Sequence, residues 1–229
     1  MTRGKTQGHV QSMLYGMTRP LVKVCGLTRL EDVALCHELN IDFTGFIFVA
    51  SSPRCLTAAE AAALPRGRAI RVGVFAGQSL DEVQRIMDET GLDYAQLHGG
   101  EDADFCRALG AKRVIKTLWP QRYGLFGPAL LEALHADCAV FKDACSLFLL
   151  DAGNTGGGSG KELPRSDLAA FVPPRPWLLA GGLGPANAAK ALRECAPTGL
   201  DCNSGVESAP GVKDEKALRE FMRRIAHPQ

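Results

Sequence analysis

A set of mostly polar and glycine residues recurs along the chain, each standing at or just after the end of a short apolar run. In order they are Lys23 and Cys25; Ser51, Ser52, Pro53 and Arg54; Phe75; Gln96 and His98; Lys116; Asp151; Gly181 and Gly182; Asp201; and Asn203, Ser204 and Gly205. Together they offer proton transfer and anion binding. A thiol or carboxyl group tuned by its surroundings exchanges a proton near neutral pH, and a guanidinium grips a carboxylate through two parallel hydrogen bonds. Lys23 lies two residues before Cys25, so on a strand both project to one face, where its charge favours a thiolate. His98 alone is equally a satisfied core imidazole, and no catalytic proton is assigned to it.

The glycine segments differ from the commoner phosphate motifs. In TGGGSGKE, Thr155 replaces the first glycine of G-x-x-x-x-G-K-S/T and Glu162 the required hydroxyl residue, so it is not a Walker loop. In AGGLGPAN, Asn187 replaces the last glycine of G-x-G-x-x-G, so a dinucleotide site is unsupported. Gly181-Gly182 and Asn203-Ser204-Gly205 are each ordinary turn chemistry when taken singly. Following two consecutive strands, they point to phosphate held by backbone N–H groups.

The elements that must position these residues alternate along the chain. Apolar runs at Leu21–Cys25, Thr44–Val49, Ile70–Phe75, Tyr94–Leu97, Arg113–Thr117, Leu147–Asp151, Trp177–Ala180 and Leu200–Cys202 read as buried parallel strands. Between them lie helical patterns with capping boxes expected at Thr28/Glu31, Thr57/Glu60 and Ser79/Glu82. Further helices are expected around Asp102–Leu109, Pro128–Ala136, Pro185–Cys195 and Asp214–Ile225; the stretch 166–171 is the weakest unit. Eight strand–helix units with polar motifs after nearly every strand predict a single (β/α)8 barrel, an α/β fold with its site at the C-terminal ends of the strands. Residues 20–229 form that domain. Residues 1–19, polar and glycine-bearing, read as a disordered extension, and 153–160 as a mobile loop that orders over ligand.

The bulk composition excludes several classes. With 26 basic and 25 acidic residues, a net charge of +1 offers no basic excess for nucleic acid. No run approaches a membrane span, and no secretory leader is visible. Eight scattered cysteines form no C-x-x-C pair, which argues that most are buried thiols in the reducing cytoplasm rather than members of disulfides or a zinc site. No metal or cofactor is expected.

At this point VKVCGLTRLEDV, GFIFVASSPRCL, RVGVF, YAQLHGGED, LLDAGNTGGGSGKE, LLAGGLGPANA and GLDCNSGVESAPGVKD resemble the phosphoribosylanthranilate isomerases of tryptophan biosynthesis, in order from Leu21 to Ile225. The resemblance implies an Amadori rearrangement of an aminoaldose to an aminoketose, with Cys25 as general base and Asp151 as general acid. For that role Asp151 must be protonated, so burial is expected to raise its pKa. Arg54 resembles the residue that holds the anthranilate carboxylate; Gln96, His98, Lys23 and Asp201 frame the substrate. The partner implied is a small phosphorylated molecule, acted on by a monomer or homodimer. Cys55 departs from the pattern, standing where an aromatic is common, and 120–145 carries no motif of the family. The alternative of the same fold is a related sugar-phosphate aminoaldose isomerase of the histidine pathway, or a dual-specificity version; that relative is expected to have a carboxylate in place of Cys25. Pentose-phosphate epimerases would bring metal-binding histidines, and a catalytically dead barrel would have lost Cys25, Asp151 or the glycine loops.

Overall fold

The computed structural model describes residues 19–152 and 165–226. Of the expected N-terminal extension, residues 1–18 lie outside the described residues, as does the glycine-rich loop 153–160, whereas Arg19 is described, its guanidinium donating to Asp42 Oδ2 at 2.7 Å. Eight parallel strands pair in sequence order and close on themselves: β1 (Leu21–Val24), β2 (Phe43–Ile47), β3 (Ile70–Phe75), β4 (Tyr94–Leu97), β5 (Val114–Leu118), β6 (Leu147–Asp151), β7 (Trp177–Ala180) and β8 (Gly199–Cys202), with β8 returning beside β1. Around them run α1 (Leu30–Glu38), α2 (Ala58–Ala63), α3 (Leu80–Thr90), α4 (Ala103–Leu109), α5 (Gly127–Phe141), α6 (Ala188–Cys195) and α7 (Glu215–Ala226). In the weak sixth unit a single 3-10 turn, Arg165–Leu168, is described. A two-stranded antiparallel hairpin, β9 (Glu207–Ala209) and β10 (Val212–Lys213), lies outside the barrel sheet.

Period-two alternation builds the interior in tiers. Leu21, Phe43, Tyr94, Ile115 and Leu147 belong to the apolar cluster that fills the barrel. Further along the same faces come Lys23, Gln96, Thr117 and Asp201, all buried. At the mouth, Cys25, Ile47 and Val74 form a small separate cluster. The opposite strand faces pack against the helices in one large core.

Strand ends shift by one or two residues from the sequence reading, as boundaries commonly do; β8 starts at Gly199, where a methyl group would lie 2.3 Å from the Leu21 carbonyl oxygen. Three helix expectations are corrected. Thr28 caps nothing: Arg29 is the N-cap, and the Thr28 hydroxyl instead donates to Gly211 O at 2.7 Å. The helix expected at Pro128–Ala136 continues to Phe141, because Leu130, Leu134 and Cys138 make one buried stripe at i, i+4, i+8. The helix expected from Pro185 starts at Ala188, since Asn187 is used to tie the preceding loop. The boxes at Thr57 and Ser79 behave differently: Thr57 and Glu60 bond reciprocally, whereas for Ser79 only its acceptance from Glu82 N is made.

Candidate active site

The described residues line a cavity of about 1180 Å³ at the C-terminal ends of the barrel strands, somewhat above the roughly 300–1,000 Å³ of small-ligand pockets. Cys25, just beyond β1, and Asp151, ending β6, both line it. The ring order places those strands three steps apart, so thiol and carboxyl approach the cavity from different sides. Arg54, Gln96, His98 and Asp201 line it too, as do Gly181, Gly182, Asn203 and Ser204.

Two expected residues sit elsewhere. Lys23 lies beneath the cavity floor with no exposure, its Nζ 2.9 Å from Asp201 Oδ2. Gly205 packs against the loop after β7, where a methyl would lie 2.2 Å from Leu183 O, so it lets two loops touch rather than facing the cavity. Two members of the polar ring are corrected outright. Phe75 and Lys116 fall on the outer strand face: Phe75 stacks on Phe48 at 5.2 Å, and Lys116 Nζ donates to Glu101 O at 2.8 Å. The alternation that sends Lys116 outward turns Thr117 inward.

Burial dominates the electrostatics of the floor. Burial pushes the Cys25 thiol up; Lys23 offsets this only in part, and the charge of Asp201 works against Lys23. Burial alone would lower Lys23, but Asp201 and then Cys25 hold it above its usual range as an ammonium. Gly45 makes this junction: a methyl there would lie 2.9 Å from Cys25 Sγ and 3.2 Å from Lys23 Nζ. His98 is pushed down to about 4, first by burial and then by the charges of Lys23, Arg122 and Lys116. It is a neutral ring whose Nδ1 lies 3.2 Å from both Gln96 Nε2 and Thr117 Oγ1, with Nε2 3.8 Å from Asp151. Two buried acceptors of cavity-lining residues, Gln96 Oε1 and Asp201 Oδ1, have no hydrogen-bond partner among the described residues, a deficit that a donor entering the site would relieve.

Sequence reasoning missed Trp119, which lines the cavity with its ring edge-on to His98, centroids 4.3 Å apart. The signal was present, since Ile115, Thr117 and Trp119 follow one another at period two. It also missed Asn187, whose side chain accepts from Gly184 N at 2.9 Å and donates to Gly182 O at 3.0 Å, bracing the glycine loop. That loop needs glycine, with φ of +104° at Gly181 and +61° at Gly182. Around Arg54, Glu207 and Lys213 supply an ion network that no spacing announced. Among the described residues no His, Cys, Asp and Glu group is arranged to hold a metal ion, and no helix is long and apolar enough to cross a membrane.

Comparison with known proteins gives concordant matches. A family model described as N-(5'phosphoribosyl)anthranilate (PRA) isomerase matches residues 22–224. An N-(5'-phosphoribosyl)anthranilate isomerase of Desulfovibrio desulfuricans is 50% identical over 198 residues, covering 86% of this chain and 92% of the relative. Among solved structures, the phosphoribosyl anthranilate isomerase of Thermus thermophilus superposes with a TM-score of 0.75 at 36% identity, over 91% of this chain and 100% of the other. A phosphoribosyl anthranilate isomerase in complex with reduced 1-(o-carboxyphenylamino)-1-deoxyribulose 5-phosphate superposes with a TM-score of 0.74 at 27% identity, over 92% and 100%.

Proposed function

The chain belongs to the N-(5'-phosphoribosyl)anthranilate isomerase family, and from that premise we propose which of its groups performs each part of the reaction. It carries out the Amadori rearrangement of N-(5'-phosphoribosyl)anthranilate in tryptophan biosynthesis. An acid protonates the furanose ring oxygen so that the ring opens to a Schiff base, and a base then removes the C2 proton to give an enolamine that tautomerises to the ketone. Asp151 is the acid and Cys25 the base. One observation carries this assignment: the two groups face a single cavity from strands three apart in the ring, so a sugar between them presents its ring oxygen to one and C2 to the other. The resting Cys25 is a thiol because it is buried, and Lys23 beneath it stabilises the thiolate form that accepts the proton.

The other groups bind. Arg54 takes the anthranilate carboxylate, the N–H groups around Gly181, Gly182, Asn203 and Ser204 take the phosphate, and Gly205 keeps their two loops in contact. Gln96 Oε1 and Asp201 Oδ1 accept from the sugar hydroxyls, with Lys23 holding Asp201 in place. His98 orients through hydrogen bonds as a neutral ring. Residues 20–229 act as one domain in the reducing cytoplasm, as a monomer or a homodimer.

The test follows the loss of fluorescence of freshly made phosphoribosylanthranilate. Cys25→Ala and Asp151→Asn each lower kcat by about a thousandfold or more while the reduced product analogue still binds, because acid–base help is given in the transition state. Near-normal turnover in either variant ends the role assigned to that residue.

A further inference from the structure

We propose that Glu207 is a positioning residue for this reaction: from the β9–β10 hairpin it fixes the Arg54 guanidinium so that the other edge of that group meets the substrate carboxylate. The proposal rests on Arg54 being the carboxylate's partner, as assigned above.

Arg54 reaches Glu207 through one edge. Its Nε donates to Oε1 at 2.9 Å and Oε2 at 3.1 Å, and its Nη2 donates to Oε2 at 2.6 Å. Its Nη1 makes no hydrogen bond with any described residue, while the side chain still lines the cavity. A guanidinium has two forked edges, each matching one carboxylate. With the Nε/Nη2 edge engaged, the edge bearing Nη1 is presented to the ligand.

Glu207 is itself held from several sides. Its Oε1 accepts from Lys213 Nζ at 2.7 Å and from Gly211 N at 3.2 Å. Lys213, paired with Glu207 across the hairpin, also donates through Nζ to Asn203 Oδ1 at 2.9 Å, and its backbone N–H is fixed by Asp32 Oδ2 at 3.1 Å. The Thr28 hydroxyl ties Gly211 O from the other side. Gly26, at φ +70°, completes the junction: a methyl there would lie 2.6 Å from Arg54 Cδ and 2.7 Å from Asn203 Oδ1. The hairpin therefore ties the arginine of the loop after β2 to the asparagine of the loop after β8. The Glu207 carboxyl is 4% exposed and the Lys213 side chain 0%, so this is a preformed mount. An arginine locked before binding does not lose rotamer freedom when the ligand arrives.

The experiment titrates two ligands against the full chain: the product analogue reduced 1-(o-carboxyphenylamino)-1-deoxyribulose 5-phosphate, and the same molecule without its carboxyl group. Glu207→Gln is expected to weaken the first by about tenfold or more and the second by less than about twofold, and to raise KM with little change in kcat. Arg54→Gln is the reference and shows the same selectivity. If Arg54→Gln is selective and Glu207→Gln weakens both ligands equally or neither, the positioning role is wrong and the arginine's role stands. If Arg54→Gln is not selective, the carboxylate assignment falls and the positioning role falls with it. Glu207→Asp, which keeps the charge but shortens the reach, recovers part of the selectivity. Should the amide variant not fold, Glu207→Ala is read by the same criterion as the amide.

Discussion

Replacing Gly45 by alanine inserts one methyl at the point where Cys25, the proposed base, meets the floor. That methyl would lie 2.9 Å from Cys25 Sγ, 3.0 Å from Cys25 Cα and 3.2 Å from Lys23 Nζ. Ordinary carbon contacts are about 3.5–4.0 Å, so the sulfur must withdraw by roughly half an ångström or more. Rotation about χ1 moves Sγ but not Cα, so β1 must shift as well. Forcing one methyl into a packed interior costs about 1–3 kcal/mol, and in a domain of this size each kcal/mol lowers Tm by about 2–4 °C. Displacing a proton-transfer group by a fraction of an ångström to 1 Å costs up to about a hundredfold in rate. Gly45→Ala is therefore expected to lower kcat by about ten- to a hundredfold, leave KM within about twofold and melt several degrees earlier. Steady-state fluorescence decay and a thermal melt read both effects. In Gly45→Ala/Cys25→Ala the sulfur is gone and part of the lost stability returns, a coupling of about 0.5 kcal/mol or more. A folded Gly45→Ala variant with full turnover, or stabilities that simply add, would refute the claim that this glycine places the Cys25 thiol for the role proposed.

Two further outcomes concern pH. Because burial raises the Cys25 thiol, its base form is scarce at neutrality, so kcat/KM climbs with pH beyond neutrality. Lys23→Met moves that rise to higher pH and Asp201→Asn, which frees Lys23 to serve the thiolate, moves it lower; a profile unmoved by both substitutions would remove Lys23 from the account. His98, pushed down to about 4, remains neutral as the unfolded chain begins to protonate near pH ~6.5. The folded state therefore binds fewer protons, and stability falls as pH drops from there toward 4. Urea melts of wild type and His98→Asn read the difference, and an imidazole NMR titration centred near pH ~6.5 would overturn it.

Much of the architecture was legible because a parallel barrel strand is locally distinctive. Ile70–Phe75, Tyr94–Leu97, Leu147–Asp151 and Trp177–Ala180 were readable to the residue from apolar runs alone. Cys25 and Asp151 were legible as chemical types at strand ends. The direction of each side chain was harder, because the residues near a strand end alternate between cavity and helix layer. One residue of register separates Lys116, which leaves the site, from Thr117, which bonds His98. Thr28 shows the same limit: its capping pattern was present in the sequence, but a carbonyl 183 residues away took the hydroxyl.

By itself the sequence determined the strand–helix alternation, the count of eight and the chemical groups available, since these depend on hydrophobic periodicity and side-chain type over a few residues. Tertiary structure alone decided which charges meet. Lys23 and Asp201 are 178 residues apart and Arg54 and Glu207 are 153 apart, and each pair forms because closing the ring lays β8 and the segment after it beside β1 and β2. The same closure buries Cys25 above the Lys23–Asp201 pair, and burial rather than a neighbouring charge then sets its protonation. Local sequence carries neither the closure nor the desolvation that follows from it.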